Sequence, residues 1–117
     1  MKLIVLGLLL SIAAFAADVT GTWKGSAETP NGTIDRTFVF RVDGNKLTGE
    51  TTSNMMGKSV VENGKVDGDN LSFSIMIKFQ DNEMKVDYKG KVVDGKQIKL
   101  TAETPNGAIE YNVKKVE

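Results

Sequence analysis

After residue 17, apolar and polar side chains alternate with period two along almost the whole chain, and short polar breaks interrupt the alternation. Successive side chains of an extended strand point to opposite faces, so this pattern predicts strands with one dry and one wet side. Eight segments follow: 19–29, 33–42, 46–53, 58–66, 70–79, 84–93, 97–104 and 108–116. The dry face carries Val19, Gly21, Trp23, Gly25 and Ala27 in the first segment and Ile34, Arg36, Phe38, Phe40 and Val42 in the second. It continues with Leu71, Phe73, Ile75, Ile77 and Phe79 in the fifth, and with Met84, Val86, Tyr88, Gly90 and Val92 in the sixth. Ile98, Leu100 and Ala102 extend it in the seventh, and Ile109, Tyr111 and Val113 in the eighth. Lys24, Glu28, Lys78, Lys85, Lys89, Lys99, Glu103 and Lys114 fall on the opposite face. No stretch of helical period remains beyond residue 17.

The breaks between segments read as hairpin turns. The string V-D-G-x-x-Leu/Ile occurs at Val42–Leu47, Val66–Leu71 and Val93–Ile98, and Asp-Gly between apolar runs is a strong hairpin signal. AETPNG occurs twice, at residues 27–32 and 102–107. Its Thr-Pro-Asn-Gly places proline second, asparagine third and glycine fourth, as a type I turn closed by a left-handed glycine requires. Ser53–Gly57 and Gln80–Glu83 complete the set. Connections this short make neighbouring strands antiparallel in simple order. The expected fold is therefore all-β, an eight-stranded antiparallel up-and-down barrel, because closure removes exposed sheet edges. In such a meander both TPNG turns lie at one end, with the Met55-Met56 and Gln80–Glu83 turns, and the three V-D-G turns lie at the other. Closure of the first strand on the last sets the TPNG turns beside the seam. The repeat then reads as one piece of turn geometry used twice, with a ligand site built from Glu28 and Glu103 as the alternative.

An eight-stranded barrel is the size at which side chains either fill the interior or leave room for one small ligand. Gly21, Gly25, Gly49, Gly64 and Gly90 share the inward parity and either open space or curve the strands. Two inward positions are charged: Arg36, and Glu62 if Val60, Glu62, Gly64 and Val66 share a face. A buried charge needs a partner or a ligand. Arg36 and Glu62 form an internal ion pair, with the hydroxyls of Tyr88 or Tyr111 nearby, or Arg36 anchors an acidic ligand, or a bulge turns one of the two outward. Met55 and Met56 are apolar residues at a hairpin tip, suited to adaptable contact with a ligand or to plugging the mouth.

Residues 1–16 combine Lys2, an apolar run from Leu3 to Leu10 and Ala14-Phe15-Ala16, the layout of a secretory signal peptide cleaved after Ala16. The run is shorter than the ~20 residues that span a bilayer, so a retained anchor is the lesser alternative. The remainder, 17–117, is one domain, expected to be secreted or periplasmic and monomeric without stable membrane insertion. Fifteen Lys and Arg balance fifteen Asp and Glu, which leaves no basic excess for nucleic acid. The chain has no cysteine and no histidine. That removes disulfides, thiol chemistry, zinc fingers and the commonest general base and metal ligand. Asp67-Gly68-Asp69-Asn70 lacks the calcium-loop glycine and glutamate and reads as a turn. No metal, cofactor or catalytic residue is expected, and the chain reads as no enzyme.

Gly21-Thr22-Trp23 near the start of the first strand, followed by an eight-stranded meander, resembles the lipocalin and avidin-like calycin barrels of small secreted proteins. Asp87-Tyr88 is similar to part of a second lipocalin motif, here in mid-strand. The resemblance implies that Trp23 packs across a closed base and that ligands enter at the end of the TPNG turns. The last strand holds no arginine to cover the tryptophan as those barrels have. Two functions are expected in competition. One is a binding barrel for a small, mostly apolar ligand at its mouth, with Arg36, Met55, Met56, Tyr88 and Tyr111 as ligand-binding residues. The other is an accessory module of exported proteins with a filled core.

Overall fold

The structure, a computed structural model, describes residues 17–30, 32–54, 57–79, 81–105 and 107–116. The leader expected over 1–16, the side chain of Phe79, and Met55 and Met56 lie outside the described residues. Among those described, the alternation forms nine strands: β1 (Gly21–Thr29), β2 (Gly32–Asp43), β3 (Lys46–Ser53), β4 (Gly57–Val60), β5 (Glu62–Asp67), β6 (Asn70–Phe79), β7 (Asn82–Asp94), β8 (Gln97–Thr104) and β9 (Gly107–Lys115). Their order is β2-β1-β9-β8-β7-β6-β5-β3, and β2 pairs with β3 to close the ring. All pairings are antiparallel. β4 and β5 are two halves of one barrel strand, so the wall has eight positions, as the sequence pattern predicts.

The break falls at Val61. Lys65 pairs with Ser72 and Glu62 with Ser74, so three steps along β5 match two along β6. The extra residue is a bulge at Asn63, whose φ of 53° is left-handed. The slip moves Val61 to the inside and turns Val60 and Glu62 out to solvent. The expected register of this segment holds only for Gly64 and Val66, and Arg36 has no ion pair with Glu62. The bulge is thus formed and the Arg36–Glu62 ion pair is not.

The turns segregate by end as the meander requires. Thr29 pairs with Gly32 and Thr104 with Gly107, and in both hairpins the threonine Oγ1 donates to that glycine's carbonyl at 2.7 Å. Gly32 and Gly107 have φ of 118° and 121°, which favours glycine. The repeated hexapeptide is thus the same hairpin built twice. At the other end, residues 17–20 run beneath the barrel: Ala17 N–H donates to the Gly68 carbonyl at 2.9 Å, and Trp23 Nε1 donates to the Val19 carbonyl at 2.9 Å. Trp23 is buried, and Lys115 Nζ stands 6.0 Å from its ring centre.

The core is contiguous from Trp23 upward through Phe40, Phe38, Phe73, Tyr88 and Tyr111. Phe73 and Tyr88 stack with centres 4.8 Å apart and planes 6° apart, and Phe38 meets Tyr88 edge-on at 5.7 Å. Each such buried ring contributes about 1.5–3 kcal/mol through the area it removes from water. At Gly25, Gly49, Gly64 and Gly90 a Cβ would collide with neighbouring atoms, so these inward glycines do not open space. A Cβ on Gly25 would come within 2.6 Å of the Asn112 carbonyl oxygen and 2.7 Å of Val113 Cγ1, so glycine there lets β1 lie against β9.

Gly25→Ala is therefore expected to lower stability by about 1–3 kcal/mol through overpacking at the seam. Gly95→Ala, where a Cβ meets nothing within 4 Å, serves as the control and should stay within about 0.5 kcal/mol of the parent. Urea unfolding curves of the two variants check the difference, and equal midpoints would speak against a tight seam.

Candidate functional site

The first and last strands meet over a short ladder. Trp23 pairs with Lys115 and Lys24 with Lys114, and Val116 N–H donates to the Thr22 carbonyl at 2.8 Å. All of this lies toward the base. Toward the mouth, β1 continues in register with β2 and β9 with β8. There the interior is hollow: a cavity of about 700 Å³ reaches from the Arg36–Tyr88–Tyr111 level out to the two TPNG hairpins. Ile34, Ile77, Met84, Val86, Ala102 and Ile109 form its apolar walls. Glu28 and Glu110, both outward and exposed, stand on its rim, so it opens to solvent beside the β1–β9 seam. The barrel is filled in its lower half and hollow at its mouth, where Ile34, Ile77, Ala102 and Ile109 line the interior in place of large rings.

Three of the five residues expected to bind a ligand meet at the inner end of this cavity: Arg36, Tyr88 and Tyr111. Met55 and Met56 fall outside the described residues. Arg36 comes from β2, between Gly25 of β1 and Ser53 of β3. It is 3% exposed, and its Nη1 donates to Thr51 Oγ1 at 3.2 Å. Its Nε is buried and has no partner. Among the described residues no carboxylate stands within ion-pair distance of the guanidinium. Thr51 was not among the expected site residues; its inward parity two positions before Ser53 is the signal that would have found it.

Tyr88 lies on β7, with Phe73 and Ala102 as its strand neighbours, and Tyr111 lies on β9. Burial pushes the Tyr88 phenol well above its ordinary value of 10.0. The positive charge of Arg36 pulls in the opposite direction with smaller effect, while Tyr111, near enough to hydrogen-bond, raises it further. Tyr88 is thus held as a neutral hydroxyl. The arrangement offers one cation and two hydroxyls at the end of an apolar tunnel, the pattern of a small-molecule pocket with few polar orienting groups. Among the described residues no cluster of three or more carboxylates could hold a metal ion.

Two outcomes are expected. Arg36→Met removes an unpaired buried charge at nearly constant volume, so its melting temperature in the empty protein should equal or exceed the parent's, with about 4–8 °C gained per kcal/mol. Arg36→Ala should melt below Arg36→Met, because it leaves a void. Calorimetry of both checks this, and a large fall in Arg36→Met would mean that the charge is compensated. Tyr88 supplies the second. Its folded-state pKa is raised, so stability is unaffected below pH 10 and falls as pH rises above it, by up to about 1.4 kcal/mol per pH unit. Urea midpoints measured across that range should fall less steeply in Tyr88→Phe.

No protein-family model, curated protein sequence or solved structure matches this chain, and the site stands on its own geometry.

Proposed function

We propose that this chain is an exported, non-catalytic binding barrel of the lipocalin and avidin-like kind, which takes a small, mostly apolar ligand into the mouth of its barrel. The mouth cavity is the observation that carries this reading. Its ~700 Å³ falls within the range of about 300–1,000 Å³ usual for small-ligand pockets. Its walls are aliphatic, and Arg36, Tyr88 and Tyr111 converge at its inner end, which supports a ligand with a defined orientation. An accessory module would be better served by filling this space, since unfilled apolar volume forgoes dispersion contacts. The rest of the core shows how closely this chain can pack. The absence of histidine and cysteine supports binding over catalysis, as does the single buried charge among the described residues. The closed base beneath Trp23 supports the calycin comparison in architecture.

An environment-sensitive apolar dye should bind saturably at one site per chain. Met84→Trp places a large ring at a half-buried position in the cavity wall and should weaken that binding about tenfold or more, equivalent to ~1.4 kcal/mol, with little change in melting temperature. Absence of saturable binding, or binding indifferent to Met84→Trp, would sink the proposal.

A further inference from the structure

Among the described residues the Arg36 guanidinium is a positive charge without a negative partner. Carrying it into the barrel is costly unless something neutralises it. Thr51 engages Nη1 but brings no charge, and Nε is left buried and unpartnered. The acidic groups on neighbouring elements do not serve. Asp35 is exposed and accepts from Ser26 Oγ at 2.6 Å, Glu62 is turned outward by the bulge, and Glu28 and Glu110 stand on the rim. Tyr88 does not serve either, since burial keeps its phenol protonated. Arg36 is also the one cation among the described residues that line the cavity.

We propose that the ligand is an apolar acid whose carboxylate enters the cavity first and pairs with the Arg36 guanidinium, beside the hydroxyls of Tyr88 and Tyr111. This rests on the binding reading above and adds the chemical class of the ligand and its orientation. A planar guanidinium matches a carboxylate in charge and geometry, and charge-assisted hydrogen bonds of this kind are about twice as strong as neutral ones. One cation balances one negative charge. A phosphate monoester, at about −1.5 to −2 near neutral pH, would carry uncompensated charge into the same dry site. The acid's tail then lies along Ile34, Ile77, Val86 and Ile109 toward the open seam. Glu28 and Glu110 stand exposed on the rim, where salt screens their repulsion of the incoming anion, so capture should quicken as salt is added.

The test compares dodecanoate with dodecanol, which share a tail and differ in the head group, by displacement of the bound dye. The acid should bind about thirtyfold tighter than the alcohol, as a hydrogen-bonded charge requires. In Arg36→Met the acid should fall to the level of the alcohol, while the alcohol changes little; retained alcohol binding also shows that the variant is folded. Carboxyl-carbon NMR of isotope-labelled dodecanoate needs no variant, and the bound carboxyl should stay ionised to lower pH than the free acid. Equal binding of acid and alcohol, or a bound carboxyl that takes its proton at higher pH than the free acid, overturns the anchor and leaves the binding barrel standing. Binding of neither compound overturns the binding reading and this inference with it.

Discussion

Closure of β1 on β9 at the base is the constraint on which the rest of the molecule depends. The ladder is short, Trp23 with Lys115 and Lys24 with Lys114, and it works because Trp23 is held from three sides. Its indole N–H is bound to Val19, its ring lies beneath Lys115, and the chain before it runs under the barrel to Gly68. Gly25 follows on the same face and lets the strands lie closer than any side chain would permit. A sheet left open here would expose two edges able to recruit other chains.

Because closure is made at one end, the two ends can differ. The base receives the bulky inward rings and is filled; the mouth is lined by Ile34, Ile77, Ala102 and Ile109 and is not. Eight strands enclose a volume near the threshold between a packed core and a pocket, so a modest gradient in side-chain size decides which is formed at each level. The stacked Phe73 and Tyr88 mark the boundary. Below them the barrel is an ordinary hydrophobic core, and above them begins the space that Arg36 shares.

Arg36 stands at odds with the economy of the rest of the core. Its neighbours on β2, Ile34 and Phe38, are buried and apolar, and a methionine would fit the same wall without a desolvated charge. Where local choices in a protein agree with the fold almost everywhere, the position that disagrees is where function is to be sought. The same residue gives the binding proposal its direction, since it stands at the inner end of the cavity and the TPNG hairpins at the outer.

Much of this was determined by the sequence alone. Strand number, order and ends follow from period-two alternation and from Asp-Gly and Thr-Pro-Asn-Gly turns, because both signals are local and each residue carries its own part of them. The inward placement of Arg36, Tyr88 and Tyr111 follows from the same parity. The tertiary structure alone decided the register of β4 and β5, since left-handed Asn63 shifts the count, and an Asn-Gly pair inside an extended segment does not itself say whether it turns or bulges. That shift took Glu62 out of the barrel and left Arg36 without the partner that uninterrupted parity would give it. The glycines were likewise undecided in sequence, because whether a missing Cβ leaves space or admits a neighbouring strand depends on how closely that strand lies. The cavity belongs with them: it is the difference between the volume that eight strands enclose and the volume their side chains occupy, a quantity that exists only once the barrel has closed.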